Sequence, residues 1–557
     1  MDFELVKRKV VAISGSTPDG RYDRLFEALG QLYPVEFRRA GPAERADPDG
    51  LIVLDGDVAA GRAAADRGTA SYVVVEGGNG GVEVSDTQVR LGKSTLLDTR
   101  LRDQVVHEAD VIALCPLAPL PGDVVLGSKG GHPLWLDRPS GRGGCQLVAL
   151  APPVVGENEC LVEYFHGLRY LRLLPLMNFL RQLTREVDWQ TPTQRACLVL
   201  DDPSLYWPTY GFVNFRRLAE HASRHNYFVA VATIPLDSWW VNPGVAAIFR
   251  SESPRLSLVV HGNNHTWHEM LHRGNGMRGL EAAAQALRRI DRLDNKHGLS
   301  VARIMEPPHG TLLAEMFPHL LSLGYQAALS TFELLVRLNR PSTWPATIGL
   351  EPSTIVAGGL PVIPRIRAYP SWKNDIMLAA FLRQPIAVTV HHQDAAQEMA
   401  GFAEIAHTAN SIGNIVWSDI PGILRDNYVQ RLVGDVLHVR MHSRAVTVRI
   451  PSGARQMCVH RSWIAADQKE PVVMRSNRGT VVERLAGAQT QPEAVEEGDL
   501  VEVRADRVNQ LHFSSVAQPG ISLWPIARKM MMEVRDRLTP ALSRVGLGWQ
   551  STRTHRR

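Results

Sequence analysis

Leu256-Ser-Leu-Val-Val-His-Gly-Asn-Asn-His265 is the stretch of sequence that decides the fold. Its apolar first half predicts a buried strand that ends at His261. His265 follows four residues later, so a helical turn after the strand would bring both imidazoles to face one point. Neutral imidazole is the commonest metal ligand in proteins. The stretch therefore predicts a metal site at the carboxyl end of a strand.

A third ligand for this site is available at the end of another predicted strand. Ala196–Leu200 is apolar and runs directly into Asp201 and Asp202. A carboxylate from Asp202 would complete a set of two His and one Asp. That set suits Zn2+, with Co2+ or Mn2+ as alternatives, and it leaves positions open for a water whose pKa the metal lowers.

Two further predicted strands also end in polar groups. Val301–Met305 is followed by Glu306-Pro-Pro-His-Gly310, and Ile386–Val390 is followed by His391. Ligands and catalytic groups of α/β sheets and barrels lie at the carboxyl ends of strands. We therefore expect these four strand ends to meet.

The order of these motifs resembles that of the NodB-homology polysaccharide deacetylases, which include carbohydrate esterase family 4. Leu198-Val-Leu-Asp-Asp202 resembles the T-F-D-D motif of that family, and His261-Gly-Asn-Asn-His265 resembles H-[ST]-x-x-H. The resemblance implies that Asp201 is the catalytic base and that Asp202, His261 and His265 bind the metal. It also implies a distorted (β/α) barrel in which a metal-bound water attacks an acetyl carbonyl.

The third and fourth motifs carry the departures from the family pattern. The segment Glu306–Gly310 resembles R-P-P-Y-G, but Glu306 replaces the arginine and His309 replaces the aromatic residue. His391 resembles the strand-ending histidine that serves as general acid. A carboxylate at Glu306 would repel Asp201 and raise its pKa. Two outcomes follow from these departures: either Glu306 or His309 shares in proton transfer, or the activity is weak or lost.

Aromatic residues near the strand ends suit a carbohydrate cleft, because sugars stack on such rings. The alternative is that these rings fill the top of the barrel as core. The candidate substrate-binding residues are Tyr206, Trp207, Trp267 and Pro308.

The flanks of this region predict three further units. Short Val-rich runs such as Val10–Ser14, alternating with helical segments, predict a parallel-sheet α/β domain over 1–187. It resembles amidotransferase-like domains in pattern, but it lacks a nucleophile elbow. The deacetylase-like barrel is expected over 188–428, a small antiparallel β domain of sandwich type over 429–517, and a basic helical tail over 518–557.

Composition limits the partners and the location. The 557 residues carry a net charge of +4, which is too small to favour a nucleic-acid partner. The five cysteines are widely spaced, which argues against a disulfide framework. No secretory signal pattern and no apolar run long enough to span a bilayer is present, so a cytoplasmic location is expected. The basic tail could touch a membrane surface, but a solvated or packed helix is favoured.

The sequence thus predicts a metal-dependent hydrolase that removes acetyl groups from a sugar or oligosaccharide. Two alternatives stay open: a cytoplasmic amidase acting on a small C–N substrate, and a degenerate protein that binds carbohydrate without turnover. A third alternative is a metallopeptidase, because His268-Glu-Met-Leu-His272 matches H-E-x-x-H.

Overall fold

A computed structural model describes most of the chain. The described residues are 8–15, 20–39, 48–75, 82–84, 86–109, 112–114, 117–140, 143–251, 255–266, 269–271, 276–340, 344–368, 371–506, 510–520 and 522–544.

The first region is built on one mixed nine-stranded sheet. Its elements are β1 (Lys9–Ser14), α1 (Asp23–Leu32), β2 (Val35–Arg39), β3 (Gly50–Val53), α2 (Val58–Asp66), β4 (Ala70–Val74), β5 (Val82–Val84), β6 (Gln88–Leu91), β7 (Val105–His107), β8 (Ile112–Leu114), β9 (Val124–Lys129), β10 (His132–Ser140), β11 (Gly143–Val148) and α3 (Leu174–Thr184).

Half of this sheet is the parallel arrangement that the sequence predicts. Strands run in the order β2-β1-β3-β4-β11-β10-β9-β6-β7. The pairs from β2 to β11 are parallel, whereas those from β11 to β7 are antiparallel. The α/β class is confirmed, and the antiparallel half is an extension that the sequence did not indicate.

The second region contains the predicted barrel. Its elements are β12 (Arg195–Asp201), β13 (Thr209–Tyr210), β14 (Val213–Asn214), α4 (Phe215–Arg224), β15 (Val229–Thr233), α5 (Pro243–Arg250), β16 (Leu256–His261), α6 (Gly276–His297), β17 (Val301–Glu306), α7 (Met316–Ser322), β18 (Ala327–Ser330), α8 (Phe332–Leu338), β19 (Thr354–Val356), β20 (Leu360–Arg367), α9 (Trp372–Phe381), β21 (Ile386–Val390), α10 (Ala396–Ile412), β22 (Val416–Trp417) and α11 (Ile420–Arg425).

Seven parallel strands close this barrel. They follow the order β15-β16-β17-β18-β20-β21-β12, and β12 returns to pair with β15. Strands β15 and β21 are buried along their whole length. Burial on both faces explains why these strands are near-continuous apolar runs rather than alternating ones. The prediction of a (β/α) barrel is confirmed.

The third region is a β domain of two four-stranded sheets. Its strands are β23 (Tyr428–Val433), β24 (Val436–Met441), β25 (Ala445–Arg449), β26 (Gln456–His460), β27 (Glu470–Ser476), β28 (Val481–Ala486), β29 (Glu493–Ala494) and β30 (Leu500–Ala505). The pairs within these sheets are antiparallel, except that β24 and β26 run parallel. Alternate residues from both sheets form a separate core.

The last helix is α12 (Trp524–Arg544), and it packs against the barrel rather than extending into solvent. Short 3-10 turns complete the chain at Leu161–Glu163, Pro235–Trp239, Pro308–Gly310, His392–Ala395 and Phe513–Ser515. No helix within the described ranges has the length and apolar character needed to cross a membrane.

Candidate metal centre

Three predicted ligands meet at the carboxyl ends of β12 and β16. Asp202 follows the last residue of β12, His261 is the last residue of β16, and His265 lies in the loop after it. The Oδ1 atom of Asp202 is 3.3 Å from Nε2 of His261 and 3.0 Å from Nε2 of His265. Asp202 and His265 both have positive φ angles, of 81° and 55°. The backbone is thus held in a sparsely populated conformation at two of the three ligands.

The donor set fits a divalent cation. The three ligand atoms lie within 4.8 Å of one another, and both imidazoles are buried. One carboxylate and two imidazoles form the set that Zn2+ binds with positions left open for water or substrate. Asp202, His261 and His265 are the residues that would hold the ion.

The hydrogen bonding of His261 also suits a ligand. Its Nδ1 is 3.0 Å from the backbone carbonyl oxygen of Glu306. A carbonyl can only accept, so Nδ1 carries the proton and donates it. The lone pair of the neutral ring is then on Nε2, which faces Asp202.

The charge around these imidazoles favours a cation. Burial alone would lower the pKa of His261, but Asp201, Asp202 and Glu306 together raise it to about 9. For Asp202 the effects are reversed: burial alone would raise its pKa, but hydrogen bonds from His261 and His265 hold this pKa well below its usual range. In the metal-free protein a proton occupies the place that a metal ion would take.

The turn between the two histidines is fixed by one carboxylate. Glu269 accepts backbone N–H bonds from Asn263 at 2.8 Å, Asn264 at 2.8 Å and His265 at 3.0 Å. Gly262 has a φ of 59°, and a Cβ atom there would lie 2.2 Å from the Glu269 carboxylate. Only glycine fits, which explains why this chain has Gly where the deacetylase motif has Ser or Thr.

The same carboxylate belongs to the H-E-x-x-H pattern that suggested a peptidase. Glu269 is buried and its oxygens hold the histidine loop, so it is not positioned as a free general base. His268 and His272 lie outside the described residues.

An arginine that the sequence analysis did not identify joins the two predicted catalytic acids. Arg365, on β20, places Nη2 2.7 Å from Oδ2 of Asp201 and Nη1 2.7 Å from Oε1 of Glu306. Its Nε donates to Thr389 Oγ1 at 2.7 Å. The expected repulsion between Asp201 and Glu306 is therefore offset by a buried guanidinium between them. This strand supplies the positive charge that the R-P-P-Y-G motif would have supplied.

Glu306 is the acid whose titration is displaced. Burial raises its pKa, Arg365 lowers it and Asp201 raises it further, with a result of about 8. Burial thus favours the protonated form of Glu306, which can donate a hydrogen bond.

The other predicted proton-transfer residues lie around the same mouth. His309 is exposed, has a φ of 58° and has its ring centroid 5.4 Å from that of His265. Although the residue is exposed, partial desolvation of its ring and the neighbouring His265 lower the pKa of His309. His391 precedes the 3-10 turn after β21, and its backbone N–H donates to Asp394 Oδ2 at 2.8 Å. Its neighbour His392 is buried against the ring of Tyr210.

The predicted substrate-binding residues differ in their surroundings. Tyr206 is buried and its hydroxyl donates to Asp237 at 3.0 Å, so much of this ring is core. Trp207 is 54% exposed at the rim. Pro308 is buried beside Gly262. Trp267 lies outside the described residues.

Helix α12 covers the barrel mouth, which the sequence did not indicate. Lys529 Nζ is 2.9 Å from Asp237 Oδ2 and 3.4 Å from the Asp202 carbonyl oxygen. Ser204 Oγ donates to Glu533 at 2.9 Å. Further contacts join Tyr210 to Asp536 and Arg528 to the His265 carbonyl. The charged face of the helix is therefore buried.

The opposite face of α12 is apolar and exposed. It carries Trp524, Ile526, Met530, Met531, Val534, Leu538 and Leu542. This orientation explains why hydrophobic spacing alone did not reveal the contact: the side that packs on the barrel is the polar one.

Comparisons with known proteins give similarities to solved structures. No protein-family model and no curated protein matches the chain. Among solved structures it is similar to Agd3, a novel carbohydrate deacetylase, with 10% identity and a TM-score of 0.44 over 91% of this chain and 99% of that one. It is also similar to a family 4 carbohydrate esterase from Streptomyces lividans (11% identity, TM-score 0.27, 41% of this chain and 94% of that one). A third is a family 4 pseudoenzyme from Bacillus anthracis (10% identity, TM-score 0.27, 42% of this chain and 68% of that one).

The closed barrel of seven parallel strands in this chain is the (β/α) barrel that the four motifs implied.

Proposed function

We propose that this chain is a metal-dependent hydrolase that removes acetyl groups from the nitrogen or oxygen of a carbohydrate. The observation that carries the proposal is the convergence of Asp202, His261 and His265. The residue before Asp202 in the chain, Asp201, is held in place by Arg365. When bound, Zn2+ or a similar ion would polarise the acetyl carbonyl and lower the pKa of a water.

The residues around the ion have distinct tasks in this proposal. Asp201 accepts the proton of the attacking water, and Arg365 orients its carboxylate through the contact to Oδ2. His391 returns a proton to the departing sugar nitrogen or oxygen. Protonated Glu306 and exposed His309 are alternative donors at the same mouth.

Substrate binding is assigned to the rim of the barrel. Trp207 offers an exposed ring on which a sugar can stack. The guanidinium of Arg537 lies 5.1 Å from the centroid of this ring, so α12 forms part of the same rim. An acetylated sugar or short oligosaccharide is the proposed substrate.

Metal content tests the ligand set. Elemental analysis of the full chain, after reconstitution with zinc, should show one ion fewer in His265→Ala than in wild type. His132→Ala is the matched control, because His132 is exposed on a distant strand. Equal metal content in all three proteins would contradict the assignment.

Acetate release tests the roles of the two aspartates. On a panel of acetylated oligosaccharides, Asp201→Asn should keep the metal and lose about 10²–10⁴-fold in turnover, the usual contribution of a general base. Asp202→Ala should lose both metal and turnover. Full activity in Asp201→Asn beside an inactive Asp202→Ala would refute this division of roles.

A binding protein without turnover is the second candidate. It is favoured by Glu306 in place of the motif arginine and by the charged contacts of α12 across the mouth. It predicts a bound metal ion and affinity for an acetylated sugar with no acetate released. Hydrolysis of small amides, but of no acetylated sugar, would instead favour an amidase.

A further inference from the structure

A second cluster of metal-ligating side chains lies in the β domain, away from the barrel mouth. Strands β24 and β26 pair in parallel, with His438 opposite Cys458 and Arg440 opposite His460. Side chains alternate across a strand, so His438, Cys458 and His460 emerge on one face. Their neighbours Val439 and Val459 point to the opposite face and belong to the core between the two sheets. The cluster is therefore not needed to fill that core.

The three side chains are close enough to share one ion. Nδ1 of His438 is 3.0 Å from Nε2 of His460, and the ligand atoms of the three residues lie within 4.8 Å of one another. His438 and Cys458 are buried, and His460 is half-buried. Gln489 places its side-chain amide 3.1 Å from the Cys458 sulfur.

We propose that His438, Cys458 and His460 form a second metal site, for a thiophilic cation such as zinc. Thiolate and imidazole are the ligand types that zinc takes in proteins, and a thiolate excludes the harder Mg2+ and Ca2+. Water or the amide oxygen of Gln489, after a flip of the amide, completes a tetrahedron.

Binding at this site has a defined proton balance. In the metal-free protein one imidazole N–H bridges His438 and His460, and the thiol of Cys458 points to the carbonyl oxygen of Thr490 at 3.1 Å. On binding, the imidazole proton moves to the distal nitrogen of the same ring. The thiol proton is released to solvent, so one proton leaves for each ion bound.

The position of the cluster indicates a structural role. The ring of Trp189, in the linker before the barrel, meets His460 edge-on at 6.1 Å between centroids. The next linker residue, Gln190, pairs with Gln430 of the neighbouring strand β23. An ion here would fix β24 and β26 directly beneath the linker.

Cobalt(II) distinguishes this site from the one at the barrel mouth, because only this one contains sulfur. Metal-free full-length protein titrated with cobalt(II) should develop a thiolate-to-metal charge-transfer band in the near ultraviolet. The band should persist in His265→Ala, which leaves the β domain unchanged, and in Cys160→Ser, which removes a buried thiol outside the cluster. It should disappear in Cys458→Ser.

A second variant distinguishes the loss of a metal ligand from misfolding of the β domain. His460 is the least buried ligand, so His460→Asn should fold, as judged by circular dichroism, and should bind cobalt at least about tenfold more weakly. Zinc should raise the thermal midpoint of His265→Ala, in which only the β-domain cluster remains, but not that of the double variant His265→Ala/Cys458→Ser. No charge-transfer band in wild type, or an unchanged band in folded Cys458→Ser, would overturn the proposal. Neither result bears on the barrel site.

Discussion

The cluster at the barrel mouth (Asp202, His261 and His265) and the cluster in the β domain (His438, Cys458 and His460) contain two histidines each. Their electrostatic surroundings are opposite. At the barrel mouth, burial opposes protonation of His261, but Asp201, Asp202 and Glu306 raise its pKa to about 9. In the β domain, burial and the neighbouring Arg431 lower the pKa of His438. The mouth therefore attracts a cation through charge already present, whereas the β-domain cluster gains its negative charge only when Cys458 loses its proton. The first arrangement suits an exchangeable catalytic ion, and the second suits a structural one.

The backbone separates the two clusters as well. Asp202, His265 and His309 all have positive φ angles. His438, Cys458 and His460 instead lie on regular paired strands. Non-glycine residues in the left-handed region cost on the order of 1–3 kcal/mol each and are concentrated at functional sites. The strained backbone at the mouth supports a catalytic role for the barrel cluster. The regular backbone of β24 and β26 supports a structural role for the β-domain cluster.

The largest effect is expected from removing Arg365. Arg365→Leu leaves Asp201 and Glu306 buried without a cation, and breaking a buried ion pair costs about 3–5 kcal/mol. The midpoint of urea unfolding should fall accordingly. His438→Asn in the β domain should cost only about 1 kcal/mol, since it removes one hydrogen bond between two rings.

Arg365→Lys is the informative control for charge. It keeps a cation but cannot contact both carboxylates and Thr389 at once, so it should recover part of the stability. Equal losses for Arg365→Leu and His438→Asn would remove the electrostatic distinction between the two clusters.

An intermediate effect, dependent on pH, is expected at Glu306. Its pKa is raised from 4.5 to about 8, so the folded chain binds this proton more tightly than the unfolded chain does. Its contribution to stability is complete below about pH 4.5 and is lost as the pH rises through about 8. Glu306→Gln mimics the protonated form, so metal-free variant protein should be more stable than wild type by about 1–3 kcal/mol near pH 9.

The measurement is urea unfolding of metal-free protein at about pH 4.5 and about pH 9, below and above the range in which the contribution is lost. The two proteins should differ little at the lower pH and diverge at the higher one. A constant difference across the range would mean that Glu306 keeps one protonation state and that Arg365 neutralises it fully.

The strand ends were predictable because their signal is local. Ala196–Leu200 and Ile386–Val390 are apolar runs closed by polar residues, and each lies within an observed barrel strand. Arg365 was missed because no motif surrounds it: it reaches Asp201 only after β20 and β21 pair beside β12. Pro175 stands in the first turn of α3, where its missing N–H costs nothing.

The smallest effect is expected at α12, which covers one cluster and not the other. Arg537→Met removes the contact to the Trp207 ring and the pair with Glu533, together worth about 0.5–1 kcal/mol. Hydrogen exchange should accelerate about two- to fivefold in α12 and in the segment 202–210 beneath it, and not in β24. Arg535→Met is the control, because Arg535 is exposed and, within the described ranges, its side chain pairs with the adjacent Asp536. Faster hydrogen exchange in β24 as well would mean that α12 stabilises the whole chain. A helix that only covers the mouth exposes the barrel cluster when it loosens and leaves β24 unaffected.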